Sequence, residues 1–240
     1  MKLVFYCIMN NFKGVGLNLR SMDDQKILFI HSNDLYAAVS HTHYKAFEET
    51  QTVLSRYEGI IRTIRRCTPA APFPFNTIIG EIIGRGALCT YYEDLIRILD
   101  ETGNKEECII TVYRSIQKKI KAIVKQSSKY ETFGKKTDRS KYNKIYDIAG
   151  HKLAGKIHNY FAQLAVRSNY ERLISNELLL QGYYLVNPEA IDSFRDIFKW
   201  VQKLYPELQL NLQGPQLPYH FNTVDIMIKN TPLYGRRLEI

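Results

Sequence analysis

Few residues of this chain combine the types and the spacing that chemistry requires. His41 and His43 lie two residues apart, so in an extended segment both imidazoles would share one face and offer two metal ligands. No cysteine or acid follows them at ligand spacing, which favours an exposed loop pair over a metal site. The glycines of residues 80–86 lack the spacing and the lysine of a phosphate-binding loop. The sequence therefore predicts no catalytic residue, no cofactor and no metal.

The cysteines and the N-terminus indicate where the protein works. Four cysteines, Cys7, Cys67, Cys89 and Cys108, lie far apart without a CxxC pair, and we predict buried, reduced thiols. Residues 2–9 are too short for a signal peptide and lack a cleavage site, so they are interpreted as a first strand. No apolar run reaches the roughly 18 residues that span a membrane. We therefore expect a cytoplasmic protein.

A lysine-rich segment offers an alternative function. Residues 114–156 carry 13 lysines and arginines against three acids, whereas the remainder of the chain carries 20 against 21. Aromatic residues interleave with these lysines, so the segment could neutralise phosphates and stack bases. The RNP1 pattern is absent and lysine outnumbers arginine, which favours a solvated face or a docking surface for an acidic partner over nucleic acid. The lysines of the possible partner surface are Lys118, Lys119, Lys121 and Lys125.

The first half of the chain predicts an antiparallel sheet with helices. Short apolar runs indicate strands, and stretches of three-and-four spacing indicate helices. The predicted elements are a strand at Lys2–Met9, a hairpin of Ile27–Ile30 with Leu35–Ser40, a helix over Tyr44–Arg66, an extended segment Ala70–Ile79, a helix over Thr90–Glu101 and a strand at Glu107–Tyr113. The two prolines of the extended segment confine it to an edge strand or to the start of a strand. This order predicts an α+β, ferredoxin-like N-terminal domain over residues 1–113, with helices on one face of its sheet.

The second half predicts a further α+β domain. Residues 114–141 are interpreted as a basic helix and linker, and residues 142–240 as a domain with long helices and a small sheet. The predicted elements are a long helical stretch over Tyr142–Leu180 with a break near Ser168–Asn169, a strand at Tyr183–Val186, a helix opened by Pro188 and a strand at Leu208–Gln213. A glycine and two prolines, Gly214, Pro215 and Pro218, are predicted to stop this last strand.

A motif follows the last strand. Residues 214–221 read GPQLPYHF, and Tyr219 and Phe221 are two apart, so both aromatics are expected to face the core from a rigid turn. The stretch resembles the motif Gly-Pro-Trp-Pro-Pro-Tyr-x-Phe of the GvpF/GvpL gas vesicle family. The matching residues are Gly214, Pro215, Pro218, Tyr219 and Phe221. Gln216 stands in place of the tryptophan, and Leu217 in place of the first proline of the pair.

Three earlier stretches resemble the same family in the same order. Residues 71–77 are similar to Leu-Pro-Leu-Arg-Phe-Gly-Thr; Pro72, Phe75 and Thr77 match, whereas Pro74 replaces the arginine and Asn76 the glycine. Residues 157–165 resemble a central helix of the family, and residues 181–186 resemble its Asn-x-x-Tyr-Leu-Val strand. The residues that carry these two similarities are His158, Tyr184, Leu185 and Val186. A tyrosine, Tyr57, occupies the place of a family histidine in the preceding helix.

The resemblance implies an accessory protein of gas vesicle assembly without catalytic activity. It implies contacts with the small apolar shell protein GvpA and with other accessory proteins, and association with gas vesicles. Aromatic surfaces at residues 71–79, including Phe73, and at residues 218–221 are candidates for those contacts, although each aromatic residue alone is better explained as core. His158 is interpreted as a hydrogen-bonded core histidine.

Overall fold

The computed structural model describes residues 1–10, 12, 17–114, 139–171 and 178–222, with the side chains of residues 139–149 left out. The chain forms two compact units. Unit 1 comprises Met1–Lys105 and Leu217–Ile240, and unit 2 comprises Glu106–Gln216. The boundaries predicted from sequence, at residues 113 and 141, differ from this division.

Unit 1 is built on an antiparallel sheet whose central strand is buried on both faces. Its strands are β1 (Lys2–Asn10), β2 (Leu28–Ser32), β3 (Leu35–Thr42), β4 (Ala70–Pro72) and β5 (Ile78–Gly80). They are arranged in the order β2-β3-β1-β4, and β5 also pairs with β1. Residues 3–9 of β1 carry no charged side chain, so both faces can be covered, and all of these residues are buried.

Helices cover both faces of this sheet, so the prediction that they share one face is wrong. They are α1 (Gln51–Arg65), α2 (Glu81–Thr90) and α3 (Tyr92–Thr102). The first helix packs Tyr57 and Ile61 with Tyr6 of β1 in one apolar cluster. The other two helices contribute residues such as Leu99 to a second cluster that contains Phe5. Residues of β1 therefore alternate between the two faces, as a strand requires, except that Tyr6 and Cys7 share the α1 face at the register shift against β3.

Helix α2 escaped prediction because its sequence contains two glycines, which lower helix propensity. Gly84 has a packing role: a Cβ at this position would lie 2.6 Å from Cζ of Phe5, so glycine lets the helix approach β1 closely. Helix α1 is shorter than the predicted pattern because Thr50 caps it. The Thr50 hydroxyl accepts a hydrogen bond from the backbone N–H of Val53 at 3.3 Å.

Unit 2 has the ferredoxin-like connectivity. Its elements are β6 (Glu106–Arg114), α4 (Arg139–Ala162), β7 (Ala165–Glu171), β8 (Leu178–Val186), α5 (Ile191–Leu204) and β9 (Leu208–Gln216). The antiparallel sheet has the order β7-β8-β6-β9, which is the arrangement of a split β-α-β-β-α-β motif. One apolar cluster joins this sheet to α4 and α5 and includes Phe161, Tyr184 and Phe194.

The predicted α+β class is confirmed, but the connectivity is distributed differently. The ferredoxin-like arrangement was expected in the N-terminal half and occurs in unit 2. Strand β6, expected to close the first domain, lies at the centre of the second sheet between β8 and β9. Residues 165–171, expected to be helical, form the edge strand β7. Strand β9, expected to stop at Gln213, continues to Gln216 with a register shift against β6 between Glu107 and Ile109.

Candidate functional site

The arch of residues 73–77 joins β4 to β5 beside the central strand of unit 1. Both short strands pair with β1, which confirms the edge position predicted for residues 70–79. The backbone N–H of Phe73 donates to the Tyr6 carbonyl at 2.8 Å, and the N–H of Phe5 donates to the Thr77 carbonyl at 2.9 Å. The Thr77 hydroxyl donates to the Pro74 carbonyl at 2.8 Å. The matching threonine therefore closes the turn of the arch from within the core.

Asn76 is explained by the backbone of the arch. Its φ is 62°, in the left-handed region that glycine, asparagine and aspartate adopt most readily. Its side-chain oxygen accepts from the N–H of Phe47 at 2.8 Å, and its amide nitrogen donates to the Phe47 carbonyl at 3.0 Å. Asparagine can therefore stand here in place of the family glycine, and it adds two hydrogen bonds to the segment before α1.

Tyr57 anchors the arch to the sheet. Its hydroxyl lies 3.0 Å from the Phe5 carbonyl oxygen, 2.9 Å from that of Phe73 and 3.3 Å from that of Pro74. The ring packs edge-on against Phe75 with centroids 5.3 Å apart. Only 1% of Tyr57 is exposed, so the hydroxyl satisfies carbonyl groups that water cannot reach.

Phe73 cannot belong to a partner surface. It is fully buried and packs against Phe5 with ring centroids 5.2 Å apart. Pro72 is buried as well, and Phe75 is half-buried. The arch is therefore part of the core of unit 1, and the prediction of Phe73 as a binding residue is wrong.

The C-terminal half of the GPQLPYHF motif lies in the core of unit 1. Leu217 and Tyr219 join the cluster on the α1 face of the sheet, and Pro218 and Phe221 are buried. The side-chain amide of Asn222 donates to the Pro72 carbonyl, so segments 150 residues apart in sequence meet here. Pro218, Tyr219 and Phe221 were expected to support the fold, and we propose that role for them here.

The first half of the motif stays in unit 2 as the end of β9. Gly214 has a φ of +104°, and a Cβ on it would lie 2.5 Å from the Glu107 carbonyl oxygen, so glycine is required. A cis peptide bond joins it to Pro215. The Gln216 amide donates to the Glu107 carboxyl group at 2.8 Å, and Glu107 is fully buried. Position 216, where the family has an indole, thus holds a hydrogen-bond donor for a buried acid, which sequence analysis missed.

His158 and Tyr184 form a polar contact in the interior of unit 2. The Nδ1 atom of His158 lies 3.0 Å from the Tyr184 hydroxyl, and either atom can be the donor. The imidazole also packs against Tyr170 with centroids 4.2 Å apart. Burial lowers the pKa of His158, and burial raises the pKa of the Tyr184 phenol. His158 has the hydrogen bond that the sequence analysis expected.

Gly182 makes room for Tyr184. A Cβ on Gly182 would lie 2.5 Å from the Tyr184 hydroxyl oxygen, because residues two apart in a strand share a face. Tyr184 is fully buried and contacts Phe161 and Phe194, with centroids 5.6 and 5.5 Å apart. Leu185 and Val186 are buried too, so the strand that resembles the family is a core element.

The remaining candidate chemistry is sparse. His41 lies in β3 opposite Leu3, while His43 follows the strand and is exposed. Among the described residues, no group of three or more His, Cys, Asp or Glu side chains is placed to hold a metal ion. All four cysteines are free; Cys7 and Cys108 are buried as predicted, but Cys67 and Cys89 are exposed. Burial raises the pKa of the Cys108 thiol to about 12, so it is protonated at neutral pH.

The basic segment lies largely outside the described residues. Lys118, Lys119, Lys121 and Lys125, the predicted partner surface, all fall in residues 115–138. The nucleic-acid alternative therefore stays a prediction. No helix in the described part of the chain is both long and apolar enough to cross a membrane.

Comparisons with known proteins agree with these features. The family model described as gas vesicle synthesis protein GvpL/GvpF matches residues 3–223. Among solved structures, gas vesicle protein GvpF from Microcystis aeruginosa has a TM-score of 0.71 at 15% identity, covering 92% of this chain and 98% of that one. GvpF from Anabaena sp. PCC7120 has a TM-score of 0.69 at 14% identity, covering 92% and 97%. No curated protein matches the sequence.

The family match extends over all the motifs described above, from β1 to the buried residues after β9. The solved GvpF structures show that the same fold accommodates sequences as different as these. This chain belongs to the GvpL/GvpF family of gas vesicle synthesis proteins.

Proposed function

We propose that this protein is a non-enzymatic accessory factor of gas vesicle assembly that binds the shell protein GvpA in the cytoplasm. The observation that carries the proposal is the family match over residues 3–223. The family motifs are used here to build the cores of the two units, as the burial of Thr77, Tyr184 and Phe221 illustrates. The motifs therefore account for a fold that members of the family share. We assign the partner contacts to surfaces outside the motifs.

The physical need for such a factor follows from the nature of a gas-filled wall. A subunit that is apolar enough to keep water out of the vesicle exposes apolar patches before it is incorporated, and such patches associate non-specifically. An accessory protein that covers them transiently keeps the subunit available for assembly. Other gas vesicle accessory proteins are proposed as further partners, since assembly must hand the subunit from one protein to the next.

The test is co-purification from a vesicle-forming bacterium. The tagged full-length chain is expressed in place of the host's own family member, and the bound proteins are identified by mass spectrometry. We expect GvpA to be retained and vesicles to form. Absence of GvpA from the bound fraction, together with absence of vesicles although the chain is folded, would contradict the proposal.

Charge is the main source of false retention in this experiment. The chain has a net charge of +9 and will hold acidic proteins non-specifically at low salt. The wash is therefore done at about 0.5 M salt, where the screening length is well below 10 Å. An unrelated ferredoxin-like protein of similar charge serves as the matched control. Retention of GvpA by both proteins would count as charge attraction only.

A further inference from the structure

An aromatic patch lies on the helical side of unit 2. Trp200 is 47% exposed and Leu204, one turn further along α5, is 44% exposed. Tyr160 of α4 meets Trp200 edge-on with ring centroids 5.0 Å apart. Large apolar side chains with this degree of exposure are few among the described residues, and these two lie together where α4 and α5 pack side by side. We call Trp200, Leu204 and Tyr160 the tryptophan patch.

The patch is held in place by the helices beneath it. Val201 and Phe161, the chain neighbours of Trp200 and Tyr160, are fully buried in the cluster of unit 2. Tyr160 and Tyr205, which follows Leu204, are themselves partly buried against the same cluster. The aromatic rings are therefore presented by packed helices, which reduces the entropy lost when a partner binds.

Positive charge predominates around the patch. Residues 150–162 of α4 contain two lysines, Lys152 and Lys156, and no acid. Residues 198–205 of α5 also contain two lysines, Lys199 and Lys203, and no acid. All four lysines are exposed, and Lys199 forms an ion pair at 3.1 Å with Asp196, which lies one turn before Trp200. Because tyrosine, tryptophan and leucine cover the centre, the surface is apolar inside and mainly cationic at its rim.

We propose that the tryptophan patch is a docking surface for an amphipathic helix of a partner protein, with apolar residues on one face and carboxylates beside them. Trp200 and Leu204 are spaced for contact with successive turns of a helix, and tryptophan is enriched among residues that dominate binding energy. The lysine rim complements acidic flanks. A second copy of this chain is a poor occupant, because its lysines would face these lysines. The inference does not require the partner to be GvpA.

The experiment uses the only tryptophan of the chain as its reporter. The full-length protein is titrated with a synthetic amphipathic helix that has leucines on one face and glutamates on the other. We expect the emission of Trp200 to shift to shorter wavelength as the indole leaves water, and the affinity to fall with added salt. Two further peptides serve as comparisons: a scrambled peptide of the same composition, and one with lysine in place of glutamate.

Variants locate the binding. The double substitution Lys156→Glu with Lys203→Glu is expected to weaken binding of the glutamate peptide at least about tenfold, since it replaces attraction by repulsion. Its control is Lys26→Glu with Lys45→Glu in unit 1, where both lysines are exposed. Trp200→Ala is followed with a labelled peptide, and Ile82→Ala, which removes an 88% exposed side chain of unit 1, is its control.

The outcomes separate the proposal from its competitors. Binding of the glutamate peptide that is lost in the patch variants and kept in both controls supports it. No binding of this peptide, equal binding of the scrambled or lysine peptide, or loss of binding in the controls overturns it. Binding to vesicles of phosphatidylglycerol or to single-stranded RNA, without binding of the peptide, would identify a lipid or nucleic-acid surface instead and would also overturn it.

Discussion

Two buried tyrosines, one in each unit, have different kinds of hydrogen-bond partner for their hydroxyl groups. Tyr57 in unit 1 and Tyr184 in unit 2 are at most 1% exposed, and each hydroxyl is hydrogen-bonded. Tyr57 donates towards backbone carbonyls of β1 and the arch. Tyr184 instead pairs with the imidazole of His158 on α4. The Tyr57 hydroxyl thus links the backbone of β1 to the backbone of the arch. The Tyr184 hydroxyl links β8 to α4 through the side chain of His158.

Because of this difference, we expect the two units to respond differently to a change in pH. A carbonyl oxygen does not titrate near neutral pH, so the contact of Tyr57 is the same throughout the physiological range. An imidazole changes its charge in this range, and burial moves the pKa of His158 downwards. We therefore expect the packing of α4 on its sheet to depend on pH, and the arch of unit 1 to be independent of it. Four predictions follow from this comparison, in order of expected effect.

Gly182→Ala should be the most damaging of the four changes. The new Cβ would overlap Tyr184, whose ring is confined by Phe161 and Phe194, so the hydroxyl must leave His158. Overpacking and the lost hydrogen bond together cost about 3 kcal/mol of unfolding free energy. Chemical denaturation followed by the emission of Trp200 reports on unit 2 directly.

The control for this change is a helical glycine of unit 1. A Cβ on Gly59 meets nothing within 4 Å, so Gly59→Ala should stabilise by roughly 0.5–1 kcal/mol through helix propensity. Equal effects of the two substitutions would show that Tyr184 is not confined as the structure indicates.

Tyr57→Phe should cost about 2 kcal/mol. It removes a donor and leaves the buried carbonyls of Phe73 and Pro74 with fewer hydrogen bonds, although the ring still fills its space against Phe75. The effect should be independent of pH between about 5 and 8, because no titratable group of ordinary pKa in that range is involved. Thermal unfolding measured by circular dichroism at several pH values tests both statements.

A strong pH dependence of the cost of Tyr57→Phe would contradict the proposed difference between the two tyrosines. Tyr184→Phe is the matched variant in unit 2, since it removes the same atom from a contact with His158. The cost of Tyr184→Phe is expected to vary with pH over the range in which His158 titrates.

Asn76→Ala should cost about 1 kcal/mol or slightly more. Alanine is disfavoured at a φ of 62°, and the two bonds to Phe47 are lost. Asn76→Gly restores the family residue and removes only the bonds, so it should cost less. A larger loss with glycine than with alanine, measured by denaturation, would mean that the backbone conformation is not what selects residue 76.

Lowering the pH should produce the smallest effect, confined to unit 2. Burial holds the pKa of His158 below its ordinary value in the folded chain. As pH falls through about 6.5, the unfolded chain takes up a proton on this histidine before the folded chain does. The stability contributed by neutral His158 is therefore present above that pH and decreases as the pH falls, until the folded-state pKa is passed.

His158→Gln should flatten this decrease, because glutamine can still bond to Tyr184 but does not titrate. The control is His43→Gln, which makes the same substitution at an exposed histidine of unit 1. An unaltered profile in His158→Gln would remove the proposed difference between the two tyrosines.

Local pattern was sufficient for many elements of this protein. Helix α5 was predicted because its apolar residues recur at helical spacing after Pro188, and the structure has it at Ile191–Leu204. The edge position of residues 70–79 followed from two prolines that cannot donate backbone hydrogen bonds. Strand β7 was missed, since its side chains Val166, Arg167 and Asn169 are exposed and leave no apolar alternation to detect.

The candidate site was predicted only as separate motifs. The match of residues 71–77 and 214–221 to one family was visible in sequence, but not that Asn222 bonds to Pro72. The pairing of Gln216 with Glu107 was also not visible, because 109 residues separate them. The exposure of Trp200 could not be predicted from the sequence. The residue lies at the border of the apolar face of α5, and its burial depends on how the neighbouring helix packs.

By itself the sequence determined the family, the α+β class and most of the strands and helices, because these depend on residue order and on periodicity over a few residues. Only the tertiary structure decided which sheet each strand joins. An apolar run such as β6 predicts a buried strand, but it does not identify the neighbouring strands. Strand pairing depends on contacts between residues that are far apart in sequence. For the same reason, only the structure could divide the GPQLPYHF motif between a strand of unit 2 and the core of unit 1.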